Sequence, residues 1–270
     1  MGALDEFGER QRKIWSSGDF GTMAPTIEQV SQLIVDLVGA SEGHDFLDVA
    51  TGTGNAALIA ASRGARATGL DFVPDLLAQA SGRATAGGLD VKWVEGDAQS
   101  LPFAKASFDR VVSVFGAMFA PRHGQTASEL VRVTRPGGCI ADAAWTPEGL
   151  NGELFGVIGT HMPQPPPEIE APVLWGDEGH VRSLFEGPGL EVTCERRTVP
   201  VEAESVEAWV EFCERFLGPM VVAKTVLEPQ GRWDQARAEV VDLYQHRNEA
   251  SDGTLHAPAE YLLTTCRLAA

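Results

Sequence analysis

Phe46-Leu47-Asp48-Val49-Ala50-Thr51-Gly52-Thr53-Gly54 is the stretch that decides how this chain folds. An apolar run ends in an acid, a glycine-rich turn follows, and the alanine-rich residues 55–62 have the pattern of a helix. Strand, glycine-rich turn and helix is the way an α/β protein opens a nucleotide pocket. Glycine lets the backbone approach a ligand, and the helix N-terminus offers free N–H groups. Asp48 puts a carboxylate inside that pocket. An acid there repels a pyrophosphate and suits a ligand that carries an ammonium group. A dinucleotide fingerprint would place a third glycine where Ala57 stands, a substitution some sites tolerate, so the turn alone leaves the ligand open.

The next strand ends narrow it. Residues 65–70 read as a second strand that stops at Asp71, where a carboxylate can accept both hydroxyls of an adenosine ribose. Phe72 beside it is placed to pack on the adenine. Glu95-Gly96-Asp97-Ala98 closes a third strand, and a carboxylate at this edge can accept from the adenine amino group. Gly-Asp is also a common plain turn. Three successive strands that each end in an acid beside a turn converge on one crevice. With Asp48 this favours S-adenosylmethionine over a dinucleotide. Residues 108–119 cross the fourth strand and leave it at the point where the strand order reverses. Val111–Val114 read as core, and Phe115, Met118 and Phe119 as the floor where cofactor meets substrate.

Further along, strand and helix patterns keep alternating. Helices are expected over 5–17, from Pro25 to Gly39, and over 74–86 and 124–133, with strands at 91–95, 108–115 and 139–145. This rhythm implies right-handed crossovers and a parallel sheet. Strands one, four and five are nearly continuous apolar runs, as strands covered on both faces should be. After Trp145 the rhythm changes. A loop and helix fill 147–161, Pro163 to Pro167 form a stiff break, and Asp177 caps a short helix to 185. A strand at 190–201, helices at 204–216 and 233–247, and a last strand at 260–268 complete the reading.

The chain has 270 residues, enough for one large α/β domain with additions, and a net charge of −17. Such acidity suits solubility and disfavours nucleic acid, which rewards clustered Lys and Arg. No apolar run is long enough to span a bilayer, and residues 1–13 lack a signal peptide's apolar region, so a cytoplasmic location is expected. Cys139, Cys194, Cys213 and Cys266 show no metal-ligand spacing; free, largely buried thiols and no metal are expected.

Together these residues resemble the class I S-adenosylmethionine-dependent methyltransferases, nearest to the branch around ubiquinone and menaquinone biosynthesis and bacterial secondary metabolism. The likeness is specific over 14–145. Residues 47–54 look like the family's first motif, which usually has Gly where Ala50 stands. Asp71 matches its ribose-binding acid and Asp97-Ala98 its adenine-binding pair. Leu101-Pro102-Phe103 and Phe108-Asp109 match the run into strand four, and Arg132 to Gly138 the turn into strand five. The resemblance implies a Rossmann-like α/β fold. Its seven-stranded sheet is mostly parallel, with an antiparallel last strand between strands five and six, helices on both faces and a helical cap inserted after strand five. It implies one domain over 1–270, with an N-terminal lid at 1–24 and substrate-side insertions at 146–188 and 203–250. Trp15 to Phe20 resembles the lid, more often with Tyr where Phe20 stands.

The implied cofactor-binding set is Trp15, Asp48, Ala50, Gly52, Gly54, Asn55, Asp71, Phe72, Gly96, Asp97, Ala98 and Phe115. A side chain at Gly54 is expected to block the cofactor. Phe20, Met118, Phe119, Trp145, Phe155 and Met162 are expected around a small, largely apolar methyl acceptor. Methyl transfer is an in-line displacement that leaves a neutral sulfur, so positioning and desolvation dominate. A phenol or enol acceptor can also need a base, and His123, His161 and His246 are candidates, with His180 read as structural. No one of them is singled out. Two other readings stand beside methyl transfer. One is a protein of this fold that binds the cofactor without methylating, as a cyclisation catalyst or binding subunit. The other, disfavoured by Asp48 and Ala57, is an NAD-dependent oxidoreductase.

Overall fold

Among the residues that the computed structural model describes, 3–187 and 189–270, seven strands form one sheet in the order β3-β2-β1-β4-β5-β7-β6. Residues 1 and 2 of the expected lid and Pro188, at the end of the first insertion, lie outside them. The strands are β1 Asp45–Val49, β2 Arg66–Asp71, β3 Val91–Glu95, β4 Phe108–Val114, β5 Thr134–Trp145, β6 Leu190–Ala203 and β7 Leu255–Leu268. β1 to β5 pair in parallel. β7 runs antiparallel between β5 and β6, as the resemblance implied. Strand order reverses between β1 and β4, so their carboxyl ends splay apart and leave a crevice.

The helices follow from local signals. They are α1 Ala3–Ser17, α2 Phe20–Met23, α3 Glu28–Val38, α4 Asn55–Ser62, α5 Pro74–Ala86, α6 His123–Val133, α7 Leu150–His161, α8 Glu178–Leu184, α9 Val206–Phe216, α10 Gly218–Leu227 and α11 Trp233–Arg247. α3 buries Val30, Ile34, Val35 and Val38, spaced to make one face, and stops at Gly39 in the left-handed conformation. Asp177 caps α8 by accepting from the His180 N–H. α9 starts at Val206, because Ser205 rather than Glu204 provides the N-cap oxygen. Residues 218–227, where no helix is expected from sequence, form α10. Pro219 opens it, and Met220, Ala223 and Leu227 make its buried stripe.

Two differences bear on the site. β5 begins at Thr134, so Arg135 to Gly138 belong to a bulged strand opening and not to a separate turn. The cap is built from α7, α9, α10 and α11, which pack on one another, while α8 packs on α6. Most of the cap therefore comes from the second insertion. α1 lies against α10, and Trp15 fixes its end by edge contact with Phe119, ring centroids 4.4 Å apart. All four cysteines are free, and no helix among the described residues is long and apolar enough to cross a membrane.

The centre of the sheet holds one unusual group. Asp142 on β5 sits between Ser113 and Thr264, 2 % exposed, and neither carboxyl oxygen has a partner. Burial pushes its pKa up to about 8, so the folded protein keeps it protonated. The unfolded chain releases that proton near pH 4, so the folded state binds the extra proton between about pH 4 and pH 8. Its contribution to stability therefore falls as pH rises through that window. Asp142→Asn should remove this dependence. Relative to wild type, the variant should gain on the order of 3 kcal/mol between pH 5 and pH 8 in urea denaturation. Parallel stability curves for the two proteins would show that Asp142 is ionised in the fold.

Candidate functional site

The carboxyl ends of β1, β2 and β4 open on a crevice of about 470 Å³. A second lobe of about 220 Å³ adjoins it at the ends of β2 and β3. Ala50, Asp71, Phe72, Gly116 and Phe119 line both, so the two lobes lie side by side across these residues.

Two buried carboxylates hold the glycine-rich loop in place. Asp48 Oδ2 accepts from Thr51 Oγ1 at 2.6 Å and from the Ala57 N–H at 3.1 Å. Asp71 Oδ2 accepts from the Gly52 N–H at 2.8 Å, and its Oδ1 accepts from the Val73 N–H at 2.9 Å. Burial raises both pKa values, that of Asp48 to about 7, and the neighbouring Asp71 adds to the rise at Asp48. A cation in the crevice would therefore favour the ionised form of Asp48. On the far side of the loop, Arg83 donates to Thr53 O and to Asn55 Oδ1, both at 2.7 Å. Asn55 in turn donates to Ala24 O at 2.9 Å. Asn55 lines the crevice, but these bonds tie it to the lid segment and to α5.

The backbone at the strand ends is strained where a ligand would approach. Ala50 and Phe115 have φ of 54° and 53°. This explains why glycine suits position 50: alanine there costs about 1 kcal/mol of local strain. Gly116 lets the exit of β4 cross Ala50, whose Cβ and carbonyl a side chain at 116 would meet at 2.7 Å. Gly52 projects into open space at the crevice, but Gly54 does not line it. A Cβ at Gly54 would meet the Trp93 ring at 2.7 Å and Ala80 at 3.1 Å. Its smallness serves packing between α4, α5 and β3, which corrects the expected contact with cofactor.

At the smaller lobe, Gly96, Asp97 and Ala98 line the wall and the exposed Glu95 does not. Asp97 Oδ1 accepts from the Gln99 N–H at 2.8 Å. Gln99 is held by Arg122, whose Nε donates to its Oε1 at 3.0 Å.

The larger lobe runs on under the cap. Trp15, Phe20, Phe119, Trp145 and Phe155 line it as expected, joined by Val199, Val201, Trp209, Cys213, Leu217 and Tyr244. Trp145 stacks on Phe115, ring centroids 3.7 Å apart, so both are structural as well as lining. Burial lifts Cys213 to about 12 and raises Tyr244 well above its ordinary value, so both stay protonated. Sequence reasoning missed Trp209, Cys213 and Tyr244, because nothing in the patterns of α9 and α11 says which residues meet a distant strand end.

Several expectations fail here. Met118 is fully buried in the core, because its short 3-10 turn, Ala117–Phe119, sends Phe119 outward and Met118 inward. Met162 follows the end of α7 and lies outside both lobes. None of the proposed histidine bases lines the site. His161 bonds Glu239 Oε2 at 2.7 Å and joins α7 to α11, while His246 is exposed on α11. His123 is 0 % exposed at the start of α6, bonded to His180, and burial lowers its pKa to about 4.

The methyltransferase domain family matches residues 47–141, the span from the first glycine motif into β5. Over 259 residues the chain is 35 % identical to an uncharacterised protein of Mycobacterium tuberculosis, covering 95 % of this chain and 93 % of that one. It is 35 % identical over 154 residues to the demethylmenaquinone methyltransferase of Thermus thermophilus, covering 51 % of this chain and 70 % of the other. This chain belongs to the class I S-adenosylmethionine-dependent methyltransferase family. Two solved structures share its fold. The Bacillus subtilis YcgJ protein has a TM-score of 0.63 at 17 % identity, covering 89 % of this chain and 98 % of that one. The [4+2]-cyclase SpnF has a TM-score of 0.56 at 19 % identity, covering 90 % and 81 %.

For this methyltransferase-family chain, the Gly54 geometry makes a distinct prediction. Gly54→Val should destabilise the fold by about 2–4 kcal/mol through overpacking against Trp93 and strain at a φ of 89°. Thermal denaturation would report it. A Gly54→Val protein with native stability would place the side chain somewhere other than against Trp93.

Proposed function

We propose that this chain transfers a methyl group from S-adenosylmethionine to a small, largely apolar acceptor seated between Phe119, Phe155 and the cap helices α9 and α11. The observation that carries this reading is the adjacency of the two lobes. The acids at the ends of β1 and β2 and the aromatic chamber under the cap line the larger lobe, and Asp97 lines the smaller lobe that shares its wall. The similarity to a demethylmenaquinone methyltransferase supports an acceptor of quinone, phenol or related secondary-metabolite type.

The cofactor supplies a methyl group on a positively charged sulfur. Asp71 would accept the ribose hydroxyls, since two lone-pair sites remain beside its bonds to Gly52 and Val73. Asp97 stands at the adenine end, and Asp48 faces the cationic end. Trp15 packs on Phe20 and on Phe119 at the wall of the crevice, and the three rings would exclude water from the reacting atoms. Apolar walls fix the acceptor by burial. No histidine is among the described residues that line the crevice, and Cys213 and Tyr244 hold their protons. Positioning and desolvation therefore provide the rate enhancement, and an acceptor that ionises readily fits best. The same absence of a histidine, thiolate or phenolate base fits a second reading, in which the cofactor is bound and the acceptor is cyclised without methylation.

Calorimetry with S-adenosylhomocysteine tests the first half. Wild type should bind, and Asp71→Ala should bind about 10- to 150-fold more weakly, a loss of 1.5–3 kcal/mol from charge-assisted hydrogen bonds. A melting curve accompanies the variant, because Asp71 also anchors the loop. Unchanged affinity in a folded variant would remove Asp71 from the ribose role.

Label transfer from the methyl-labelled cofactor tests the second half, with demethylmenaquinone-like, phenolic and polyketide-like acceptors and with RNA. Phe155→Ala should raise the acceptor's KM several-fold and leave S-adenosylhomocysteine affinity unchanged. Transfer to RNA alone would overturn the acceptor assignment. Cyclised product without label transfer would establish the second reading.

A further inference from the structure

Away from the crevice, three donor atoms from three segments meet. His123 Nδ1 on α6 lies 3.0 Å from His180 Nε2 on α8. Glu170 Oε1, from the stretch between α7 and α8, lies 4.0 Å from each of them. Two imidazoles and a carboxylate are a donor set for a borderline divalent metal, zinc foremost. The spacing is close to that of a site, and a tetrahedral ion would need the Glu170 carboxylate to close by about half an ångström. In the plane of the donors, a point about 2.1 Å from both nitrogens falls about 2.2 Å from the oxygen, and these are the lengths of Zn–N and Zn–O bonds.

We infer that His123, Glu170 and His180 form a zinc site that clamps α6, the 163–171 stretch and α8 together behind the crevice. The carboxylate is already aimed. Glu170 Oε2 accepts the His123 backbone N–H at 2.8 Å, and the Glu170 N–H donates to Pro121 O at 3.2 Å. Such outer bonds orient metal ligands. His180 and Glu170 keep 21 % and 40 % of their side chains exposed, which gives an ion a way in and leaves room for water as a fourth ligand. Bare lone pairs 3.0 Å apart repel, so without metal one ring nitrogen of the facing pair carries a proton. Metal binding requires that proton to move to the far nitrogen of the same ring, and neither imidazole gains or loses charge. The sequence hides the site because its ligands lie 47 and 57 residues apart across the His123 pairs. The site is independent of what the crevice binds.

The test uses tag-free full chain, stripped with EDTA and dialysed. Calorimetry with zinc chloride should show one ion per chain at micromolar affinity or tighter, with no uptake of magnesium. His180→Ala and Glu170→Gln should each weaken binding by at least about tenfold. Both residues are partly exposed, so these variants should fold even if His123→Ala does not. His256→Ala, at an exposed histidine on β7, should change nothing. Cobalt(II) in place of zinc should give visible absorption bands that the His180→Ala protein lacks. No saturable zinc uptake, or uptake that His180→Ala and Glu170→Gln leave unchanged, would overturn the site and leave a histidine–histidine hydrogen bond with Glu170 capping α6.

Discussion

Two buried carboxylates accepting backbone N–H groups are the interaction on which the site depends. A glycine-rich loop has many accessible conformations, and its amides need partners when the chain closes over them. Asp48 holds the loop at Thr51 and Ala57, and Asp71 holds it at Gly52. Each acid leaves water to do this, and each has a raised pKa as a consequence. The arrangement stores a demand for positive charge. A cationic ligand in the crevice relieves the cost of ionising Asp48, so the bonds that shape the loop also set which ligand suits it.

From that loop outward, the site is assembled by elements far apart in the chain. Ser113 ties the end of β1 to the turn after β4: its hydroxyl donates to Val49 O and accepts from the Ala117 N–H. That turn presents Phe119 to both the lid and the cap, against Trp15 on one side and Phe155 on the other. Phe119 therefore stands where the three parts of the molecule meet. The smaller lobe is a separate construction, held by Gln99, Arg122 and Asp97. This division separates the walls that the cap supplies from those that the strand ends supply.

The polar network also separates structural histidines from reactive ones. A histidine near a strand end in the sequence is a fair candidate base, yet His123 and His161 each bridge packed segments. His123 is neutral because it is buried, not because it is poised for proton transfer. Asp48 and Asp71, by contrast, accept only from backbone amides and the Thr51 hydroxyl among the described residues.

The sequence alone determined the sheet, the loop and the acids at the strand ends. Those properties are written locally: a period-two or continuous apolar run makes a strand, glycines at fixed offsets make the turn, and an acid at each strand end falls at one edge once the strands are parallel. Hence Asp48, Asp71 and Asp97 were readable before any coordinates, as were the bounds of α4, α5 and α11. Tertiary structure decided everything that depends on direction across elements. Sequence could not say that Gly54 faces Trp93 while Gly52 faces the crevice, since a left-handed turn reverses the side on which neighbours project. Nor could it separate inward Met118 from outward Phe119 in a single 3-10 turn. The far wall of Trp209, Cys213 and Tyr244 came from helices whose burial pattern records that they pack, not against what. Local patterns encode which face is apolar, and only the assembled fold assigns each apolar face to core, cap or cavity.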